Sequence, residues 1–123
     1  YLDSVANNNF PRWYTEGLAQ WQEYKHIGYE WVVAENDLKT QALYSLDQLT
    51  LHFDQLDNVA LAYRQAFSFV RYMVWREGET AIHQLHRRLA RREPFATAWE
   101  KTFGETVQES YKSWTLLAKE GRA

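Results

Sequence analysis

The sequence predicts an all-α fold, a compact bundle of five or six helices. Three features point to it. Apolar residues recur at helical spacing through most of the chain. The few Gly and Pro stand where helices would begin or end rather than inside them. Residues that cap helix starts, Ser45, Asn58 and Thr106, precede the periodic stretches. A length of 123 residues fits one domain, and about two thirds of an unfolded chain's surface can be buried at this size. With 46% hydrophobic and 16% aromatic residues, the chain can build a core without disulfide or metal support.

Pro11 suits the first turn of a helix, where the N–H it lacks would be unpaired anyway. A helix is expected over about 12 to 25, with Gly28 just past its end. Tyr14, Leu18 and Trp21 make its packing face, while Glu16, Gln20 and Glu23 fall on another side. Residues 29–44 carry weaker signals: Trp31-Val32-Val33-Ala34 suits a short strand or a helical turn, and Asn36-Asp37 a turn. Around 45–52 a short helix capped by Ser45 is expected.

The strongest element runs over about 58 to 77, capped by Asp57 or Asn58 and ended by Gly78. Val59, Ala62, Ala66, Val70 and Met73 form one stripe, and Phe67, Phe69, Val74 and Trp75 extend apolar character around the helix. Such a helix belongs at the centre, buried on several sides. A fourth helix over about 79 to 92 turns Ile82, Leu85 and Leu89 inward. Arg87, Arg88, Arg91 and Arg92 crowd its last turns, where cations favour the helix C-terminus. Pro94 opens a helix of about ten residues carrying Phe95, Ala98, Trp99 and Phe103, and Gly104 stops it. Thr106-Val107-Gln108-Glu109 reads as a capping box for the last helix. Val107, Tyr111, Trp114 and Ala118 share a face of that helix, and Gly121 is placed to end it.

Composition excludes several chemistries. A net charge of −2 gives no field that would favour nucleic acid or an anionic membrane as partner. The absence of cysteine rules out disulfides, thiolate metal sites and a cysteine nucleophile. No apolar run approaches the roughly 18 residues of a transmembrane segment. The sequence holds no His-Glu-x-x-His, phosphate-binding glycine loop or Gly-x-Ser-x-Gly elbow. His83 and His86, three apart on one predicted helix, could share a metal only with a third ligand, so a surface pair beside an arginine-rich helix end is the favoured reading. The arginine cluster reads as a solvated helix end that pairs with acids such as Glu93, and the aromatic residues read as core.

Glu16 alone would be an ordinary polar-face residue. Its surroundings say more. Pro11-Arg12-Trp13-Tyr14-Thr15-Glu16-Gly17-Leu18-Ala19 resembles the "P-x-W-x-x-E-G-L-A" motif of peptidase-MA-like proteins, gluzincin-type zinc metallopeptidases. Leu61-Ala62-Tyr63-Arg64-Gln65-Ala66-Phe67-Ser68-Phe69-Val70-Arg71-Tyr72-Met73 is similar to the family's "AYxQSxxFVRYL" helix, with Ala66 in place of its Ser. Phe103-Gly104-Glu105-Thr106-Val107-Gln108-Glu109, with Trp114 after it, is similar to the "FGxSxxEFxxxW" ending. The resemblance covers most of the chain, in order.

The resemblance implies that residues 1–123 are a single helical domain, the C-terminal lobe of a zinc-dependent peptidase. Glu16 would be the third zinc ligand, and Tyr63 a catalytic hydrogen-bond donor in the transition state or simply a buried helix tyrosine. Gly17 would let a neighbouring helix approach closely or be an ordinary first-turn glycine. The partner would be an upstream segment bearing His-Glu-x-x-His, and the substrate of the intact enzyme a peptide or protein. Only fifteen residues precede Glu16 and none is His, so this chain has neither the histidine ligands nor the general base of that motif. Zinc is expected in the intact protein and not in this chain alone. A first residue of Tyr1 rather than Met agrees with a processed product or a piece of a longer polypeptide. The alternative is a non-catalytic helical interaction module from a degenerate relative; a metal-independent binding domain with an aromatic surface is a weaker third. Glu16 is expected to be relatively exposed, or covered by the N-terminal segment or a second copy. An apolar patch bared by the missing segment would favour self-association.

Overall fold

Capping chemistry sets the helix boundaries. The computed structural model describes residues 10–27 and 42–120. Among these the chain forms six α-helices, one 3-10 turn and no strand. The order is α1 (Arg12–Ile27), α2 (Leu46–Leu51), the 3-10 turn (Phe53–Gln55), α3 (Val59–Glu77), α4 (Glu79–Ala90), α5 (Phe95–Phe103) and α6 (Val107–Lys119). The expectations for Gly28, Trp31–Ala34, 36–37 and Gly121 lie outside the described residues. Ser45 and Gln48 close a capping box on α2, the Ser45 hydroxyl accepting from Gln48 N–H and the Gln48 amide from Ser45 N–H. Asn58 Oδ1 accepts from Leu61 N–H at 3.1 Å to start α3. Thr106 and Glu109 make the predicted box on α6.

α4 is shorter than its pattern suggested. It ends at Ala90, because Arg92 turns left-handed with φ 65°. The Arg92 N–H then reaches the Leu89 carbonyl at 2.9 Å, and the Glu93 N–H reaches that of Arg88 at 3.3 Å. This pairing gives carbonyls of the last turn acceptor roles, at a cost of about 1 kcal/mol for a left-handed residue other than Gly.

α3 is the central helix. Leu61, Ala62, Gln65 to Val70, Tyr72 and Met73 are all buried. Its ends emerge, however: Trp75 is 77% exposed, although its apolar character suggested burial. The stripes of the outer helices fall inward as predicted. Tyr14 and Leu18 of α1, Ile82, Leu85 and Leu89 of α4, and Val107, Tyr111, Trp114 and Ala118 of α6 are buried. Three fully buried tryptophans, Trp13, Trp99 and Trp114, anchor the core. Trp13 lies against Phe69 with ring centroids 5.1 Å apart and edge-on to Trp99 at 6.0 Å. The indole N–H of Trp99 donates to Ser110 Oγ and that of Trp114 to Ser68 Oγ, each at 3.0 Å, so both of these buried donors are paired.

α1 packs on α3 at a distance only glycine permits. A Cβ on Gly17 would stand 2.4 Å from the Ala66 carbonyl oxygen and 2.8 Å from Val70 Cγ2. The nearest obstacle is backbone and cannot rotate away. Gln65, fully buried on α3, ties down the segment before α2. Its side-chain amide accepts from Tyr44 N–H at 2.9 Å and donates to the Tyr44 carbonyl at 3.1 Å, pairing with that residue as a neighbouring backbone would. It also donates to the Tyr111 hydroxyl at 2.7 Å, which itself donates to the Tyr44 carbonyl.

Gly17→Ala is therefore expected to destabilise the chain by about 1–3 kcal/mol in chemical denaturation, the usual cost of overpacking. Helix propensity alone predicts the opposite sign, so a stabilised variant would contradict the close-packing account.

Candidate functional site

The polar stripe of α1 begins with an ion-pair bridge. Arg12 Nη1 meets Glu16 Oε1 at 3.2 Å, one helical turn on, and Arg12 Nη2 meets Asp54 Oδ1 of the 3-10 turn at 3.1 Å. The guanidinium lies 5.8 Å from the centre of the Phe53 ring. Phe53 is in turn edge-on to Tyr63 of α3 at 5.1 Å. Burial works against the Arg12 charge, but Glu16, Asp54 and the Tyr63 hydroxyl more than offset it and hold Arg12 above its ordinary value. Glu16 and Tyr63, far apart in sequence, thus meet on one arginine. The Glu16 side chain is 23% exposed, neither solvated freely nor buried in the core. One turn further along the same stripe, Gln20 Oε1 is buried with no hydrogen-bond partner among the described residues.

Two hollows flank this region. One of about 140 Å³ is lined by Arg12, His52, Phe53 and Asp54, among others. A larger one of about 360 Å³ lies where α1, α2, α5 and α6 begin, walled by Phe10, Trp13, Leu46, Phe95 and Val107.

His86 departs from the surface pair that its spacing suggested. Its Nε2 lies 2.8 Å from the hydroxyl of Tyr14, a fully buried residue of α1, and its ring is edge-on to Phe10 and Tyr14. Burial, with a smaller contribution from His83, pushes His86 down to about 4. Burial likewise raises Tyr14 well above its ordinary value. Tyr14 is thus the donor and the neutral imidazole the acceptor. His83 stays exposed, so the two histidines do not form a site. The reason is tertiary: α1 covers one edge of α4, and helical spacing within α4 cannot show that. The arginine cluster behaves as read, with Arg87, Arg91 and Arg92 exposed and Arg88 3.9 Å from Glu93.

A second polar tie was not visible in sequence. Ser110 passes the Trp99 N–H on to Glu105, and Glu105 pairs with Arg76, which also meets Tyr72 and Glu77. Burial would raise Glu105, but Ser110 and Arg76 reverse that and hold it below the usual carboxylate range. This network joins α3, α5 and α6.

Among the described residues no three His, Asp or Glu side chains converge to hold a metal. Glu16 has the donor chemistry of a zinc ligand, but its charged neighbour is a guanidinium, a donor and not a ligand. The described residues therefore assemble no ligand set for a zinc ion. Among them, too, no helix is long and apolar enough to cross a membrane. No protein-family model, curated protein or solved structure matches the chain.

The His86 environment has a pH signature. Its folded value lies below the ordinary 6.5, so the unfolded chain binds more protons between the two values. The stability it contributes is complete above about 6.5 and falls away as pH drops toward 4. Thermal melts are expected to lose stability over that window, and His86→Gln should flatten the slope. An NMR titration placing His86 near 6.5 would contradict the buried Tyr14 pair.

Proposed function

We propose that residues 1–123 form the C-terminal helical lobe of a zinc-dependent peptidase. Glu16 supplies one zinc ligand, and a His-Glu-x-x-His helix outside this chain supplies the others and the general base. Bound zinc would polarise the scissile carbonyl and lower the pKa of a water. The observation that carries the reading is the placement of Glu16. It lies beside the packing face of a helix locked to the core by Gly17, half-buried, with Tyr63 brought to the same arginine. A carboxylate held on a packed helix is what a metal ligand needs. The unpartnered Gln20 oxygen on that stripe supports a face made to meet a further polar group. The three motifs that resemble peptidase-MA-like proteins fall on α1, on α3 and on the α5–α6 junction, which pack together. The substrate would be a peptide or protein, and the chain alone, lacking the base, would not cleave it.

A second reading is a non-catalytic helical interaction module from a degenerate relative. The ion pair favours it, since Arg12 neutralises Glu16 without any metal. The parent reading frame separates the two: a His-Glu-x-x-His helix within some tens of codons upstream belongs only to the peptidase. In that longer polypeptide, zinc at about one per chain is expected by metal analysis, as a catalytic site with three protein ligands holds one ion. The zinc should be lost in Glu16→Ala. Zinc retained unchanged by that variant would remove Glu16 from the ligand set.

A further inference from the structure

We propose that the junction of α4 and α5 is a docking surface for an acidic protein segment, bound by Arg87, Arg91 and Arg92. The surface stands apart from the zinc-lobe reading and needs neither Glu16 nor a metal. Arg87, Arg88, Arg91 and Arg92 place four guanidinium groups within six residues, in a chain whose net charge is −2. The acid beside them is already shared: Glu93 lies 3.9 Å from Arg88 and 3.8 Å from Lys101 of α5. Arg87, Arg91 and Arg92 are exposed, and among the described residues no carboxylate pairs with them. A helix end gains from cations in its last turn, and Arg87 and Arg88 already fill that turn of α4. Arg91 adds a like charge one turn beyond Arg87, which costs stability. Arg92 adds a backbone cost, a φ of 65° just past a helix end, where glycine is the usual residue. Strain held at one residue points to a use for its side chain.

The charge and its spacing define the partner. A guanidinium with no internal partner presents a planar fork that matches a carboxylate. Arg87 and Arg91 are four residues apart on α4, a rise of about 6 Å. Carboxylates on alternate residues of an extended chain repeat at about 7 Å. A segment with Glu or Asp at every second position therefore sets one carboxylate on Arg87 and the next on Arg91, and Arg92 is beside them for a third. Two observations favour such a segment over nucleic acid. The large apolar side chains that stand exposed among the described residues are Leu51, Val59, Trp75 and Leu116, none of them on α4 or α5. The arginines thus have no exposed aromatic ring beside them on which a base could stack. The net negative charge of the chain also disfavours a phosphate backbone that runs on beyond the patch.

The test titrates the chain of 123 residues with a synthetic peptide of alternating Glu and Ser at low salt. The backbone amides of α4 and α5 and the arginine Nε–H groups are followed by NMR. The expected result is a saturable response at Arg87, Arg91 and Arg92 that weakens as salt rises, because exposed charges are screened. A peptide of alternating Gln and Ser should give none. Arg87→Gln and Arg91→Gln, both at exposed positions, should each weaken binding about two- to fivefold, the range of an exposed ion pair. Arg92→Gly separates binding from folding: it should melt at a higher temperature, since glycine takes the left-handed turn without strain, and yet bind the peptide more weakly. No response to the Glu peptide, or an equal response to the Gln peptide, overturns the proposal. So does an Arg92→Gly variant that binds as the wild type does. An oligothymidylate of equal charge that binds the same residues more tightly than the peptide overturns it in favour of a nucleic-acid surface.

Discussion

The structure depends on how closely α1 lies against α3. The contact between Gly17 and the Ala66 carbonyl sets that distance, and much else follows from it. Trp13, Tyr14 and Leu18 reach the core only because the two helix backbones nearly touch. Trp13 then meets Phe69 and Trp99, which links α1 to α3 and α5 through one aromatic cluster. Tyr14 reaches His86 and thereby joins α1 to α4. A helix held on one flank by backbone contact and on the others by large aromatics has little freedom to rotate. Its polar stripe is fixed as firmly as its apolar one.

That rigidity is what gives Glu16 meaning. A carboxylate on a loosely packed helix would be a solvated charge. On α1 it is held by Arg12, which Asp54 holds in turn, at the edge of a packed interface. Ligand geometry is most exact on helices whose own packing is settled. The Gln20 oxygen, without a hydrogen-bond partner among the described residues, lies on the same stripe, in contrast to the paired Gln65, Ser68 and Ser110.

Much of the fold was legible in the sequence because its signals are local. The caps at Ser45, Asn58 and Thr106 and the stops at Gly78 and Gly104 set boundaries through their own backbone and side-chain chemistry. The inward stripes of α4 and α6 followed from a period of 3.6 residues. What sequence could not show depends on distant partners. His86 looked superficial because the helix that buries it, α1, comes some seventy residues earlier. The Gln65 clamp requires knowing that Tyr44 passes beside α3. Trp75 misled in the other direction, since α3 runs past the layer that would have covered it. Arg12 could have been found: it stands four residues before Glu16, the spacing of a helical ion pair. The candidate site was readable as a position and a chemistry, while its bridge to Asp54 was not.

On the proposed peptidase reading this scaffold carries half of a metal site, and one carboxylate oxygen of Glu16 decides it. The most direct measurement is anomalous diffraction at the zinc edge from crystals of a polypeptide in which this chain follows a His-Glu-x-x-His helix. The account predicts an anomalous peak about 2.0–2.2 Å from a Glu16 carboxylate oxygen, the usual zinc–carboxylate distance. Zinc bound to the histidines with Glu16 still paired to Arg12 would contradict it.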